Sequence, residues 1–115
     1  MIGIDIVDIK KFRNKLEKKD FASKIFTDNE FHYSNSKANS LQTFAGIFAG
    51  KEAIIKAYNF NLAYILRNKI EIKHVDNIPI VFINGKKTNA EISISHDGNY
   101  AIAVCNKNEP NFKIN

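Results

Sequence analysis

Two carboxylates and a lysine in this sequence have the types and the spacing needed to handle a phosphate. The stretch "GKEAIIK" places Glu52 and Lys56 four residues apart, on one face of a predicted helix. Asp5 interrupts the apolar run "IGIDIVDI" near the start of the chain. If Asp5 and Glu52 converge, their oxygens suit Mg²⁺, which usually takes one or two carboxylates and completes its shell with water and phosphate oxygens. Lys56 would then complement the phosphate.

The same residues have a simpler interpretation. Glu52 and Lys56 at this spacing commonly form a solvated ion pair that stabilises a helix by ~0.5 kcal/mol or less, and the spacing alone favours that interpretation. The carboxylate of Asp5 in an otherwise apolar strand, and a row of small residues on the same helix, favour a functional site instead.

The elements that must position these side chains follow from the apolar pattern. Residues 1–7 are rich in β-branched side chains and alternate weakly, which predicts a first strand. Asp8 is the expected N-cap of an amphipathic helix over about 9–19, whose outer face is almost wholly basic. A short helix is predicted to begin near Asp28, with Thr27 or Asp28 as its cap.

The longest helical pattern covers residues 41–60 and predicts a central helix. Because each glycine inside a helix costs about 1 kcal/mol relative to alanine, the small residues along it indicate a close approach to a sheet or a ligand. These small residues are Gly46, Ala49, Gly50, Ala53 and Ala57.

The second half of the chain predicts antiparallel strands. Residues 69–75 and 78–83 form two of them, and a hairpin over 90–105 turns at Asp97 and Gly98. This order of elements predicts an α+β fold, with an antiparallel sheet packed against the long central helix.

Length and composition set further limits. With 115 residues and 44% hydrophobic content, we expect one domain over 1–115, with a tail that frays after about residue 107. No run approaches the ~20 apolar residues of a membrane span, and no secretory leader is evident, so we expect a cytoplasmic protein that does not bind membranes. The single cysteine, Cys105, lies in an apolar alternation and is expected to be buried and inert.

The net charge of +5 indicates an acidic partner, and much of it lies in one segment. Between residues 10 and 24 there are seven basic side chains against two acidic ones. Another candidate ligand residue, His96, ends a strand in "SISHD", where alternation places Ser95 on the opposite face. A histidine at such a position is more often structural, and its functional alternative is donation to a phosphate.

Three segments together resemble a known family. They are "IGIDIVDI" at 2–9, "FAGIFAGKEAIIKA" at 44–57 and "ISISHDGNYAIAV" at 92–104. In order and spacing they resemble the signature segments of the holo-acyl-carrier-protein synthases, the short bacterial branch of the 4′-phosphopantetheinyl transferase superfamily. The motifs are an aspartate in an apolar strand, Phe-x-x-Lys-Glu-Ala-x-x-Lys and Ser-x-Ser-His, and the resemblance covers nearly the whole chain.

The resemblance implies a Mg²⁺-dependent enzyme of fatty acid biosynthesis with the phosphopantetheinyl transferase fold. It would transfer 4′-phosphopantetheine from coenzyme A to a serine of apo acyl carrier protein and release 3′,5′-ADP. Asp5 and Glu52 match the family's metal ligands, and Lys56 matches the lysine that contacts the pyrophosphate and assists the leaving group. Glu52 and Lys56 are thus the expected catalytic residues, and a water at the site is the expected base for the serine hydroxyl.

The resemblance also implies contacts beyond the metal. His96 matches a histidine that faces the nucleotide's phosphates from a neighbouring subunit, so a homotrimer is expected. Lys51 and Ser95 are further expected contacts of coenzyme A. Acyl carrier protein is strongly acidic, and in the family it docks on the basic first helix; the expected contacts here are Lys10, Lys11 and Arg13.

Three features depart from the family pattern. Ile47 stands where an arginine associated with the nucleotide end is common, and a lysine such as Lys51 is a possible replacement. The usual glycine-rich loop after the long helix is "YNFNLAYIL", and the usual Gly-Lys-Pro turn is "NIP".

Two other classes of function compete with the enzyme. One is a small basic module that binds RNA or DNA, which the scattered aromatic residues disfavour because they do not alternate with basic residues on a strand face. The other is an interaction domain that has lost activity, which the presence of both Asp5 and Glu52 disfavours.

Overall fold

The computed structural model describes residues 1–108 and has the α+β architecture that the sequence predicts. Its elements in chain order are β1 (Ile2–Asp8), α1 (Ile9–Leu16), α2 (Phe21–Ile25), α3 (Asp28–Asn35), α4 (Ser40–Tyr58), a 3₁₀ turn (Leu62–Ile65), β2 (Ile70–Val75), β3 (Ile78–Ile83), β4 (Lys86–Lys87), β5 (Glu91–Asp97) and β6 (Tyr100–Asn106). The frayed tail predicted after about residue 107 concerns a segment that, from residue 109 on, lies outside the described residues.

The strands form two antiparallel sheets rather than one. Sheet 1 has the order β1-β6-β5, and sheet 2 has the order β2-β3-β4. The chain leaves sheet 2 at Thr88, whose N–H and hydroxyl both donate to the carbonyl oxygen of Val81, at 3.0 and 2.9 Å. The hairpin β5–β6 turns at Gly98 and Asn99, one residue later than predicted, because Asp97 still pairs with Tyr100.

The long helix α4 packs across the inner face of sheet 1 at very short range. A Cβ on Gly3 of β1 would lie 2.0 Å from the carbonyl oxygen of Ala53, and a Cβ on Gly46 of α4 would lie 2.9 Å from Cγ2 of Ile94. At Gly3 the neighbouring atom belongs to the helix backbone, so only glycine fits there, whereas at Gly46 the neighbour is a side-chain methyl group. The small residues of α4 therefore serve contact with the sheet, one of the two alternatives the sequence left open.

The basic helix α1 begins as predicted and ends early. The Asp8 carboxylate accepts hydrogen bonds from Lys11 N (3.1 Å) and Asn99 Nδ2 (2.7 Å), and the bond from the Lys11 N–H is the main reason why the pKa of Asp8 is lowered. The helix stops at Leu16 rather than 19, because the chain turns and reaches the left-handed region at Asp20, with φ of 71°.

Helix α3 begins with a capping box. Thr27 accepts from the backbone N–H of Glu30, while Glu30 accepts from the backbone N–H of Thr27. The predicted start near Asp28 is confirmed, and Thr27 rather than Asp28 is the cap.

Aromatic rings and a buried thiol fill the core. Phe12, Phe26, Phe44 and Phe48 are all buried and pack against one another at centroid distances of 5.0 to 6.3 Å. Burial raises the pKa of Cys105 to about 11, in agreement with the expected inert thiol. Within residues 1–108, no helix is both long enough and apolar enough to cross a bilayer.

Candidate active site

Asp5 and Lys56 meet where β1 crosses α4. The alternation of β1 turns Gly3, Asp5 and Val7 toward the helix. Lys56 Nζ lies 3.1 Å from Asp5 Oδ1 and donates to the carbonyl oxygen of Ile4 at 2.9 Å. The Asp5 side chain is only 16% exposed, whereas that of Lys56 is 53% exposed and can reach a ligand in solvent. The close approach allowed by Gly3 holds the two residues together.

Glu52 lies one helical turn before Lys56 and beside Asp5. Its pKa is raised, first by burial and then by the negative charge of Asp5, while Lys56 and Lys15 act in the opposite direction. A cation bound beside both carboxylates would relieve the repulsion that Asp5 exerts on Glu52. The ion pair of Lys56 in the described structure is with Asp5, so the simple Glu52 to Lys56 pair suggested by spacing does not form.

A cleft of ≈ 340 Å³ opens beside the two carboxylates, between β1, α1 and α4. Asp5 and Glu52 line it together with Lys11, Lys15 and Phe48, among others. Lys15 is a residue that the sequence analysis missed. Its position four residues after Lys11 on the same face of α1 is the signal that could have identified it.

The donor set of this cleft fits a magnesium ion better than a transition metal. In residues 1–108, no group of three or more His, Cys, Asp or Glu is arranged to hold a metal. Asp5 and Glu52 offer two carboxylates at a cleft of ≈ 340 Å³, a donor set that suits Mg²⁺ whose shell is completed by water and substrate phosphates.

Lys51, which the resemblance makes an expected contact of coenzyme A, is buried away from this cleft. Its side chain is 0% exposed, and its ammonium lies 2.7 Å from Glu30 Oε1 and donates to the carbonyl oxygen of Ile25. A lysine held in this way cannot replace the arginine that is common at position 47, where Ile47 is also buried. Glu30, its partner, was not singled out from the sequence, although the Thr-x-x-Glu spacing of the capping box marks it.

His96 lies in a second cavity, of ≈ 560 Å³, on the other side of α4. Its ring packs against Gly46, and burial lowers its pKa. Asp5 of β1 and Ile94 of β5 both pair with Ala103 of the central strand β6, so they lie two strand spacings apart. His96 is two residues further along β5, which puts the Cα atoms of His96 and Asp5 about 12 Å apart. Ser95 is exposed and points to the outer face of sheet 1, so one chain does not bring it together with His96.

The three predicted docking residues are exposed on α1. Lys10, Lys11 and Arg13 all lie on the solvent side of the helix, and Lys11 also reaches the rim of the carboxylate cleft. The basic surface and the candidate site are therefore adjacent.

Comparison with known proteins connects this geometry with a family. Residues 1–105 match the family model described as the 4′-phosphopantetheinyl transferase superfamily. A holo-acyl-carrier-protein synthase of Thermodesulfovibrio yellowstonii is 41% identical over 105 residues, which cover 89% of this chain and 92% of that relative. The synthase of Mycoplasma mycoides is 38% identical over 112 residues and 96% of each chain.

Solved structures show the same fold. The Helicobacter pylori holo-acyl-carrier-protein synthase in complex with coenzyme A superposes with a TM-score of 0.74 at 28% identity, over 92% of this chain and 98% of that one. The Bacillus anthracis synthase, in complex with CoA (3′,5′-ADP), also gives a TM-score of 0.74, at 29% identity over 90% and 91% of the two chains.

Proposed function

The chain belongs to the 4′-phosphopantetheinyl transferase superfamily, and from this premise we propose that it works as a holo-acyl-carrier-protein synthase. It transfers the 4′-phosphopantetheine group of coenzyme A to a serine of apo acyl carrier protein and releases 3′,5′-ADP. The observation that carries the proposal is the grouping of Asp5, Glu52 and Lys56 beside an open cleft, in a fold that relatives use with coenzyme A.

Asp5 and Glu52 are the residues that would hold Mg²⁺. When bound, the ion supplies positive charge that neutralises the pyrophosphate and stabilises the negative charge that develops on the leaving group. The negative charge of Asp5, which after burial is the next cause of the raised pKa of Glu52, supports this assignment, because a cation relieves the repulsion between the two carboxylates. We therefore propose that transfer depends on Mg²⁺.

Lys56 assists the departure of 3′,5′-ADP. The serine oxygen of the carrier attacks the phosphorus that carries pantetheine, and the bond from that phosphorus to the bridging oxygen breaks. The bridging oxygen leaves with the bonding electrons as part of 3′,5′-ADP, and the exposed ammonium of Lys56 donates a hydrogen bond to the pyrophosphate. The serine proton passes to a water in the cleft as that water gives one of its own protons to the Glu52 carboxylate, which then releases the proton to solvent.

The basic surface of α1 receives the acidic carrier. Lys10, Lys11 and Arg13 attract it over several ångströms, and the adjacent cleft then receives the carrier serine. This steering weakens with ionic strength, because exposed charges are screened over about 8 Å at physiological salt.

Self-association supplies the nucleotide-binding residues that one chain keeps apart. His96 lies about 12 Å from Asp5 within a chain, and the outer face of sheet 1 is apolar. Its exposed members, at 39% to 66% exposure, are Ile2, Ile4, Ile6, Ile102 and Val104. A contiguous apolar face of this kind marks an interface. We propose that a homotrimer covers it, that His96 of a neighbouring copy contacts coenzyme A, and that the Ser95 in contact with the same coenzyme A belongs to a different copy from that His96.

A nucleic-acid-binding module is disfavoured by the same structure. The four phenylalanines of the core are buried and cannot stack on bases.

We also propose that this single domain serves fatty acid biosynthesis in the cytoplasm.

The test is to incubate the protein with apo acyl carrier protein, coenzyme A and Mg²⁺ and to weigh the carrier by intact-mass spectrometry. The proposal predicts a carrier that gains one phosphopantetheine group, with formation of 3′,5′-ADP and no gain when EDTA is present. An unchanged carrier across several acyl carrier proteins, together with tight RNA or DNA binding, would overturn it.

A further inference from the structure

The lysine next to Glu52 forms a fully buried ion pair. Lys51 and Glu30 are both 0% exposed, and their charged atoms lie 2.7 Å apart. Burial raises the pKa of Glu30 and lowers that of Lys51, and the charge of each partner opposes the shift of the other. Each charge therefore depends on the presence of its partner.

The pair connects four separate elements of the fold. Glu30 of α3 accepts from the backbone N–H of Ile72 on β2 at 2.7 Å, and Lys51 of α4 donates to the carbonyl oxygen of Ile25, the last residue of α2. The Lys51 ammonium also lies 5.6 Å from the centre of the Phe26 ring.

These contacts continue to the wall of the carboxylate cleft. Phe26 packs edge-on against Phe12 of α1 at 6.3 Å, and Phe12 packs on Phe48 of α4 at 5.3 Å. Phe12 and Phe48 both line the cleft that contains Glu52. Because successive helical residues are 100° apart, Lys51 fixes α4 on its buried side while Glu52 faces the cleft.

Stability alone gives little reason for such a pair. Apolar side chains of similar size in place of a buried ion pair often leave a protein equally stable or more so. The directional bonds that the pair makes to α2, α3, α4 and β2 instead fix the position of these four elements relative to one another.

We propose that the Lys51–Glu30 pair positions Glu52. The pair holds α2, α3 and β2 against α4 at Lys51, the residue directly before Glu52. This inference rests on the proposed function, because Glu52 is taken there as a ligand of the divalent cation. Lys51 and Glu30 act through Glu52 and touch no substrate.

The test compares the wild-type protein with the double variant Glu30→Gln/Lys51→Met. The methionine side chain fills the volume of the lysine stem. The single amide oxygen at position 30 can accept from the N–H of Ile72 or of Thr27 but not from both, so we expect the double variant to fold with reduced stability. Binding of Mn²⁺, a paramagnetic substitute for Mg²⁺, is measured by electron paramagnetic resonance with coenzyme A present. We expect Mn²⁺ affinity and kcat to fall about tenfold or more, since small misplacements of catalytic groups have effects of this size. KM for the carrier should change little, because α1 keeps its basic residues.

A core variant separates positioning from loss of stability. Ile70→Val removes one methyl group from a fully buried residue of β2 without touching the pair. It should lower the unfolding temperature but leave Mn²⁺ affinity and kcat unchanged. Equal losses in Ile70→Val and in the double variant would overturn the proposal.

Two further outcomes keep the inference separate from the proposed function. A folded double variant with wild-type Mn²⁺ affinity and kcat overturns the positioning role while the transfer activity stands. If the double variant does not fold, Glu30→Asp is measured in the same way: it keeps a negative charge for Lys51 but is one methylene group shorter, so the bonds to Lys51 and to Ile72 N–H cannot both be kept. The same losses are expected, and wild-type values in Glu30→Asp overturn the proposal. A wild-type protein that binds Mn²⁺ but transfers nothing refutes the function, and the Mn²⁺ comparison still tests the positioning.

Discussion

Replacing Gly3 by alanine tests whether the contact between β1 and α4 holds the candidate site together. The added Cβ would lie 2.0 Å from the carbonyl oxygen of Ala53 and 2.6 Å from the backbone nitrogen of Ala57. Both atoms belong to the helix backbone and cannot turn aside as a side chain does. Since Cβ contacts under 3.0 Å essentially never occur, β1 and α4 must separate by at least the 1.0 Å difference.

Two effects of this displacement can be given a size. Overpacking of a filled interior costs typically about 1–3 kcal/mol of unfolding free energy. A shift of about 1 Å between Asp5 and Glu52 would reduce the rate of transfer by roughly 100-fold. Gly3→Ala should therefore lower activity far more than its loss of stability explains.

Gly50→Ala is the matched control at the same helix. A Cβ there would lie 2.7 Å from Cδ1 of Ile72, 3.0 Å from Cδ1 of Ile92 and 3.5 Å from Cδ1 of Ile94, all of which are mobile ends of side chains. Alanine also gains about 1 kcal/mol of helix propensity, so the net change in stability should stay below about 1 kcal/mol. Urea unfolding and steady-state transfer kinetics measure both variants. If Gly3→Ala behaves like Gly50→Ala in both measurements, the account of the β1–α4 contact is refuted.

The remaining predictions concern charge. Asp5→Asn and Glu52→Gln should each abolish measurable transfer, because each removes a carboxylate expected to bind the metal. Circular dichroism and thermal unfolding should remain near wild type, because each change also relieves the repulsion between the two carboxylates. Wild-type transfer in Asp5→Asn would refute the metal assignment. Lys10→Glu and Arg13→Glu should raise KM for the carrier and reduce its salt dependence with kcat unchanged, as kinetics at two salt concentrations will show; an unaltered KM excludes α1 as the docking surface. The lowered pKa of Asp8 means that its carboxylate stabilises the fold above its ordinary pKa of 3.8 and loses this effect as pH falls through the lowered value. Urea unfolding of Asp8→Ala should therefore differ from wild type at pH 7 and approach it under strongly acidic conditions, whereas a pH-independent difference would contradict the cap.

The sequence predicted those features that depend on local pattern. The cap at Asp8, the capping box at Thr27 and the extent of α4 follow from residue types within a few positions of each other, and the structure has all three. The fold class followed from the order of such segments. The end of α1 could not be predicted in this way, because it depends on the left-handed backbone at Asp20. The division of the strands into two sheets could not be predicted either, because it depends on the hydrogen bonds of Thr88 to Val81.

Contacts between distant residues were harder to predict. An acid in an apolar strand is unusual, and it predicts that Asp5 and Glu52 converge; the two do line one cleft. The ion pair of Asp5 with Lys56 is not predicted, and nothing local indicates whether a lysine on a helix faces solvent or the core. Lys51 was placed at the cofactor for that reason, whereas Glu30, 21 positions earlier, takes it into the interior. Lys15 was missed because α1 has many lysines and only the packing of the helix selects which ones line the cleft.

The most direct test of the central claim is a crystal structure of the protein with coenzyme A and Mn²⁺, in which anomalous scattering locates the metal. We expect a metal bound by carboxylate oxygens of both Asp5 and Glu52 and by a phosphate oxygen of coenzyme A, with Lys56 moved from Asp5 to the pyrophosphate. A metal bound elsewhere, or coenzyme A bound while Lys56 remains on Asp5 and Glu52 stays unliganded, would contradict it.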